Sequence, residues 1–190
     1  TAFGRYAPQN FDGRYRGELT VRSALLQSLN IPPVVLLNEL GPSRLMALLR
    51  RGGAAPVVPG GKPGLAVALG GVGMTLQDLV QLYGGIAQGG RVQPLVWRKG
   101  VIAGPPKRIM SDVAAWHLWD ILADLAPPPQ IGGPRRQIAY KTGTSYGHRD
   151  AWSMGFDGQH VIGVWLGRPD GTPVPGVFGG DLAAPILFEA

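Results

Sequence analysis

The sequence runs to 190 residues, about one domain's length and enough to bury a substantial core. Hydrophobic residues make up 45% of it, which argues against a disordered tail, and the absence of cysteine excludes disulfides and thiolate metal sites without selecting a compartment. The formal charge of +6 favours an anionic partner, but the basic residues are scattered and are not interleaved with aromatics as a base-stacking surface requires, so no nucleic acid is expected.

Residues 1–17 are rich in turn formers and show no period, which predicts an extended loop pinned by Tyr6 and Phe11. Thr20 is placed to cap a helix through Val21, Ala24, Leu25 and Leu26 that ends near Ser28-Leu29-Asn30, because Pro32 and Pro33 cannot continue it. Pro33 suits the first turn of a second helix through Val34, Leu36, Leu37 and Leu40, stopped by Gly41. Ser43 is expected to cap a third, with Leu45, Met46, Leu48 and Leu49 inward and Arg50-Arg51 at its negative end.

Residues 52–73 form a glycine-rich connector that carries no nucleotide motif. Gly60-Gly61-Lys62 is followed by Pro63, and Gly71-Val72-Gly73 lacks the third glycine of a dinucleotide turn. Thr75 and Asp78 have capping-box spacing and open a helix through Leu79, Val80, Leu82, Tyr83 and Ile86 that ends at Gly89-Gly90. Val92 to Val101 reads as a short strand pair around Trp97, and Ser111 caps a helix halted by Pro127-Pro128-Pro129.

Three strands follow: Ile138–Thr144, Ala151–Phe156 and Val161–Leu166, with hairpin loops between them. The last has little polar surface on either face and reads as central. A helix capped by Asp181 closes the chain. The order, helices over residues 1–135 and then antiparallel strands and a helix over 136–190, predicts an α+β fold in a single domain. Trp116, Trp119, Trp152 and Trp165 fall on apolar periodic faces and read as core, whereas His148 reads as a solvated turn residue. His117 and His160 lack metal-ligand spacing, and no metal or cofactor is expected. No apolar run reaches the roughly 18 residues of a membrane span, and no signal peptide opens the chain.

Chemistry concentrates at Lys141-Thr142-Gly143-Thr144-Ser145. A strand ending in Lys-Thr-Gly offers an ammonium, a hydroxyl and accessible backbone, the groups needed to hold a carboxylate beside a carbonyl under attack. Ser28-Leu29-Asn30 at a helix end supplies a second element of the same set, in which Ser-x-Asn and Lys-Thr-Gly accompany a Ser-x-x-Lys nucleophile. Around these stand Tyr6-Ala7-Pro8-Gln9-Asn10-Phe11, Leu69-Gly70-Gly71-Val72-Gly73-Met74-Thr75, Asp150-Ala151-Trp152 and Gly163-Val164-Trp165-Leu166-Gly167. In this order they resemble the transpeptidase domain of class A penicillin-binding proteins, of the 1C type, over nearly the whole chain.

That resemblance implies a partial penicillin-binding protein and serine β-lactamase-like fold, and a D,D-transpeptidase that cross-links peptidoglycan through a serine acyl-enzyme. Its partners would be stem peptides and β-lactam antibiotics, and its location the periplasmic side of a bacterial inner membrane. Position by position, Ser28 resembles the hydroxyl that relays a proton, and Asn30 the amide that positions the catalytic lysine. Lys141 would supply positive potential, Thr142 a hydrogen bond to the substrate carboxylate, and Gly143 and Thr144 the adjoining edge, with a Thr144 backbone N–H in the oxyanion hole. None of the six serines precedes any of the four lysines by three, so Ser-x-x-Lys is absent. The simplest expectation is a piece beginning downstream of the nucleophile and inactive alone. The same expectation removes two flanking strands and would leave Val161–Leu166 as an apolar edge open to self-association. A non-catalytic basic module binding an anionic polymer, and a serine β-lactamase-like hydrolase, are the alternatives.

Overall fold

In the computed structural model, residues 3–4, 6–176 and 178–190 are described. The helices start where side chains can satisfy free backbone donors. The Thr20 hydroxyl accepts from Ser23 N at 3.1 Å to open α1 (Val21–Leu26). Thr75 and Asp78 form a reciprocal capping box at α4 (Leu76–Ala87). The Ser111 hydroxyl accepts from Ala114 N to open α5 (Asp112–Ala123). Each such cap contributes about 1 kcal/mol.

Between α1 and α4 lie α2 (Ile31–Leu40) and α3 (Pro42–Arg51), packed on a short 3₁₀ turn, Leu65–Leu69, around Leu37, Met46 and Val67. A two-residue ladder, β1 (Arg91–Val92) with antiparallel β2 (Lys107–Arg108), joins α4 to α5. The main sheet is antiparallel, in the order β3 (Ala139–Thr144), β4 (Asp150–Phe156), β5 (Val161–Gly167). The chain closes with a π turn, Gly179–Ala183, and α6 (Ala184–Glu189).

The two faces of the sheet bury different partners, as the period of two requires. Ala139 and Phe156 pack with Leu122 and Ala123 of α5 and with Tyr83 of α4. On the opposite face Tyr140, Ile162 and Val164 pack against Ala184 and Leu187 of α6. β4 presents Ala151, Ser153 and Gly155 to that second face, and small residues are needed there. A Cβ on Gly155 would lie 3.0 Å from Leu187 Cδ2 and 3.1 Å from Tyr140 Cβ.

Several local expectations change. α3 starts one residue before Ser43, with Gly41 at its N-cap and Pro42 in its first turn, so Ser43 caps nothing. Leu48 on α3 is exposed, whereas Met46 is buried. Asp181 lies inside the π turn, and α6 begins without a side-chain cap. The strand pair expected across Val92–Val101 shrinks to the β1–β2 ladder, and Trp97 stands 73% exposed in the intervening loop. Trp116 and Trp119 lie at the surface of α5, because the helix turns Ala115, Ile121, Leu122 and Ala123 inward instead. β5 is an edge strand, half-buried throughout, where its apolar composition predicts a central one.

The π turn sits against the backbone of the sheet. A Cβ on Gly179 would lie 2.5 Å from Gly143 O and 2.7 Å from Trp152 O, whereas one on Gly180 meets nothing within 4 Å. Gly179→Ala is therefore expected to cost about 1–3 kcal/mol of unfolding free energy and Gly180→Ala less than about 0.5 kcal/mol, measured by urea denaturation of the paired variants.

Candidate functional site

β3 is the other edge of the sheet, and its pairing fixes which backbone groups are free. Ser145 N–H donates to Asp150 O at 3.0 Å, so that residue's polar groups face β4. Alternation along an antiparallel ladder then turns the N–H groups of Thr142 and Thr144 toward the open edge. The Thr144 hydroxyl accepts from Gly179 N at 3.0 Å, which ties the end of the strand to the π turn. Lys141 lies on the face of the sheet that carries α4 and α5, and its ammonium donates to Ser28 Oγ and, at 3.1 Å, to Thr142 O.

Ser28 reaches this position through an unusual helix end. Ser28 N–H donates to Leu25 O at 3.1 Å and Leu29 N–H to Ala24 O at 3.0 Å, the double closure that ends a helix with a left-handed residue. That residue is normally glycine, and here it is Ser28, at φ +51°. The backbone strain of about 1–3 kcal/mol directs the exposed hydroxyl to Lys141. Buried Leu29 anchors the turn from below.

Asn30 follows at the start of α2 and makes no cap of its own. The buried Asn10 substitutes for it: its Oδ1 accepts from Asn30 N at 3.0 Å and Ile31 N at 3.2 Å, while its Nδ2 donates to Arg14 O. The Asn30 side chain donates to Gln9 O at 2.9 Å. The opening loop is thus bound to the Ser-x-Asn turn through two asparagines. Asn10 is a structural member of the site that the sequence shows only within the Tyr6–Phe11 stretch of the resemblance, and its capping role appears with the fold.

Ser28, Asn30, Lys141, Thr142, Gly143 and Thr144 all line one cleft of about 1370 Å³, together with Asn10, Phe11, Phe178 and Asp181. Among the described residues no carboxylate pairs with Lys141. Burial holds its ammonium below the ordinary lysine range. The unfolded chain then binds more protons than the folded one between the lowered value and about 10.4, so stability rises with pH through that window. An unpaired, partly desolvated cation at a cleft wall, beside hydroxyls and free N–H groups, suits an anionic ligand.

His148, expected as a solvated turn residue, is half-buried. It sits at φ +55°, edge-on to the Phe178 ring at 4.7 Å, with Nδ1 shielded and without a hydrogen-bond partner. No cluster of three or more His, Cys, Asp or Glu among the described residues could hold a metal. No described helix is long and apolar enough to cross a membrane.

No protein-family profile matches the chain. Among individual proteins, it is 43% identical over 191 residues to penicillin-binding protein 1C of Escherichia coli, covering 98% of this chain and 24% of that protein. It is 30% identical over 183 residues to penicillin-binding protein 1B of Vibrio cholerae, covering 88% and 23% respectively. The chain therefore spans about a quarter of the length of the curated relatives it matches. In fold, it is similar to penicillin-binding protein 1A from Haemophilus influenzae, with TM-score 0.79 and 19% identity, over 97% of this chain and 36% of that one. It is also similar to the PonA1 protein of Mycobacterium tuberculosis in complex with penicillin V, with TM-score 0.75 and 22% identity, over 94% and 57%.

The strained turn gives a direct test. Ser28→Gly and Ser28→Ala both remove the hydroxyl, but only glycine relieves the left-handed backbone. Ser28→Gly is expected to exceed Ser28→Ala in unfolding free energy by about 1 kcal/mol, read from chemical denaturation of the two variants side by side.

Proposed function

The chain belongs to the penicillin-binding proteins, and we propose that it supplies the substrate-binding walls of a peptidoglycan D,D-transpeptidase. The observation that carries this reading is the hydrogen bond from Lys141 to Ser28, which joins the Lys-Thr-Gly strand to the Ser-x-Asn turn across 113 residues of sequence. In that reaction a serine hydroxyl attacks the penultimate D-Ala carbonyl of a stem peptide, the terminal D-Ala leaves, and an amine of a neighbouring stem peptide resolves the acyl-enzyme. A β-lactam, which mimics the D-Ala-D-Ala end, would be held by the same walls.

On this reading Lys141 gives the substrate carboxylate its positive field, and the Thr142 hydroxyl donates a hydrogen bond to it. The free N–H of Thr144 stabilises the oxyanion that develops on the attacked carbonyl. Ser28 passes a proton between the catalytic lysine and the leaving or incoming amine, with Lys141 against its oxygen to favour the proton-donating direction. Asn30, fixed by Gln9 and Asn10, orients that lysine and the donor's side-chain carbonyl. The attacking serine and its lysine base are not encoded in these 190 residues, so the chain by itself would bind without acylating. Membrane anchorage and periplasmic placement are part of the same proposal.

Basic charge alone accounts for less. Arg16, Arg22 and Arg136 are engaged by Asp12, Asp120 and Asp124, which removes three arginines from any free anionic-polymer surface.

A fluorescent penicillin distinguishes these readings. The 190-residue chain should show no covalent labelling, and a polypeptide extended upstream through a Ser-x-x-Lys should label. In the extended protein Lys141→Ala or Thr142→Ala should slow acylation by roughly 10²-fold. Covalent labelling of the short chain would overturn the assignment of the nucleophile, and unchanged rates in both variants would overturn that of the walls.

A further inference from the structure

Asp120 in the last turn of α5 and Asp124 at its C-cap stand between α1 and the segment that leads into β3. Asp120 and Asp124 are one helical turn apart and project together. From one side Arg22 of α1 reaches both carboxylates, one with each terminal nitrogen. From the other side Arg136, three residues ahead of β3, also reaches both, with its Nη2 2.7 Å from Asp120 Oδ1. Each carboxylate therefore accepts from two guanidiniums, and the four charges cancel.

Further contacts fix the Arg136 arm. Its backbone N–H donates to Ala123 O at 3.0 Å, at the last residue of α5. Its guanidinium lies 5.4 Å from the centre of the Trp119 ring, and its backbone is left-handed at φ +70°. Arg135 adds a bond from Nη1 to Asp124 O at 2.9 Å. This accounts for the Arg135-Arg136 pair and the outward Trp119, none of which lines the cleft.

The Arg22 arm matters more, because α1 has little else to hold it. It is six residues long, below the length at which a helix is stable alone, and Ala24 is its one buried residue. Yet this helix ends in Ser28, whose hydroxyl must meet an ammonium on another element. The strand carrying that ammonium enters the sheet three residues after Arg136.

We propose that Arg22, Asp120, Asp124 and Arg136 form a positioning clamp that sets the distance between the Ser28 turn and the Lys141 strand. The clamp acts through α5, which is the common support of both arms. It deepens the reading of Ser28 and Lys141 as facing walls of one site and rests on that reading. Isolated surface ion pairs contribute little, but here two guanidiniums each bridge the same two carboxylates, four contacts in one network, and geometry is what such forks specify best. Consistent with this, the Arg136 and Arg22 guanidiniums hold the Asp120 carboxyl below the usual carboxylate range.

The test is NMR on the folded chain, without substrate. Lysine side-chain resonances give the titration midpoint of Lys141, and amide exchange at Ser28 and Leu29 reports the turn. In Arg22→Gln and Arg136→Gln the Lys141 midpoint should rise toward the ordinary lysine value as the turn withdraws and water enters. Exchange at Leu29 should quicken by roughly tenfold, and Arg22→Lys should restore part of both effects. If a glutamine variant does not fold, Asp124→Asn leaves one carboxylate in place. An unchanged Lys141 midpoint and unchanged Leu29 exchange in folded variants would overturn the clamp. Because neither readout needs a β-lactam, failure of penicillin labelling in the extended protein would sink the transpeptidase reading and leave the clamp to stand or fall by these measurements.

Discussion

A lysine ammonium brought against a serine hydroxyl is the contact to which the rest of the structure answers. Lys141 loses water on entering the cleft wall and gains hydrogen bonds to Ser28 Oγ and Thr142 O, but no described carboxylate. A cation left in that state disfavours the folded chain by itself. Its position has to be maintained by everything around it: α5 beneath β3, the π turn over the strand end, and a left-handed turn that aims Ser28 across the gap. The strain at Ser28 and the partial desolvation of Lys141 are both unfavourable alone, and they meet at the same point. Such a concentration of local costs persists only where the surrounding structure over-determines it.

The scaffold divides this work between two kinds of packing. Next to α4 and α5 the sheet uses large residues, Phe156, Met154 and Val161, and the fit is filled volume. Next to α6 the central strand β4 uses small ones, Ala151, Ser153 and Gly155, flanked by Tyr140, Ile162 and Val164, so that the closing helix approaches the backbone. That close approach lets Gly179 donate to Thr144, and it sets the strand edge from the opposite side to Lys141. Residues 140, 142 and 144 therefore share a face with the C-terminal helix, while the Lys141 side chain belongs to the helical face. One strand serves two surfaces at once.

Much of this was legible in the sequence where the cause is local. Thr20, Thr75 and Ser111 cap the helices expected of them because the cap needs only its own first turn. The three strands of the main sheet lie within a residue of the expected bounds, since alternation and hairpin loops are also local signals. Ser43 and Asp181 misled because a nearby proline or glycine opened the element elsewhere, and competition between neighbouring start signals is settled by tertiary packing. Periodicity identified the apolar face of α5 as a stripe, but which part of a stripe is covered depends on what else arrives, and Trp116 stayed outside. For the site, the residue types of Lys141 and Ser28 were readable, and their juxtaposition came only with the fold. Asn10 was readable as part of a resemblance and not as a cap, because its partners Asn30 and Ile31 lie 20 and 21 residues away.

The net charge illustrates the same limit from the electrostatic side. A total of +6 suggests a surface for polyanions. Yet a formal sum treats Arg22 and Arg136 as equivalent to Lys141, and their surroundings make them opposites. The arginines each grip two carboxylates and are neutralised within a few ångströms, so their field at a distance is small. Lys141, with hydroxyl and carbonyl oxygens as its only partners among the described residues, keeps its field and faces the cleft. Guanidinium suits the first task because its fork holds planar carboxylates in register, and ammonium suits the second because its charge is compact and its donors rotate. Exchanging arginine and lysine between these positions would conserve the sum while loosening the bridged carboxylates and changing the cation at the cleft wall. Charge therefore acts in this chain through position, and what positions it is the short helix, the strand edge and the pair of aspartates between them.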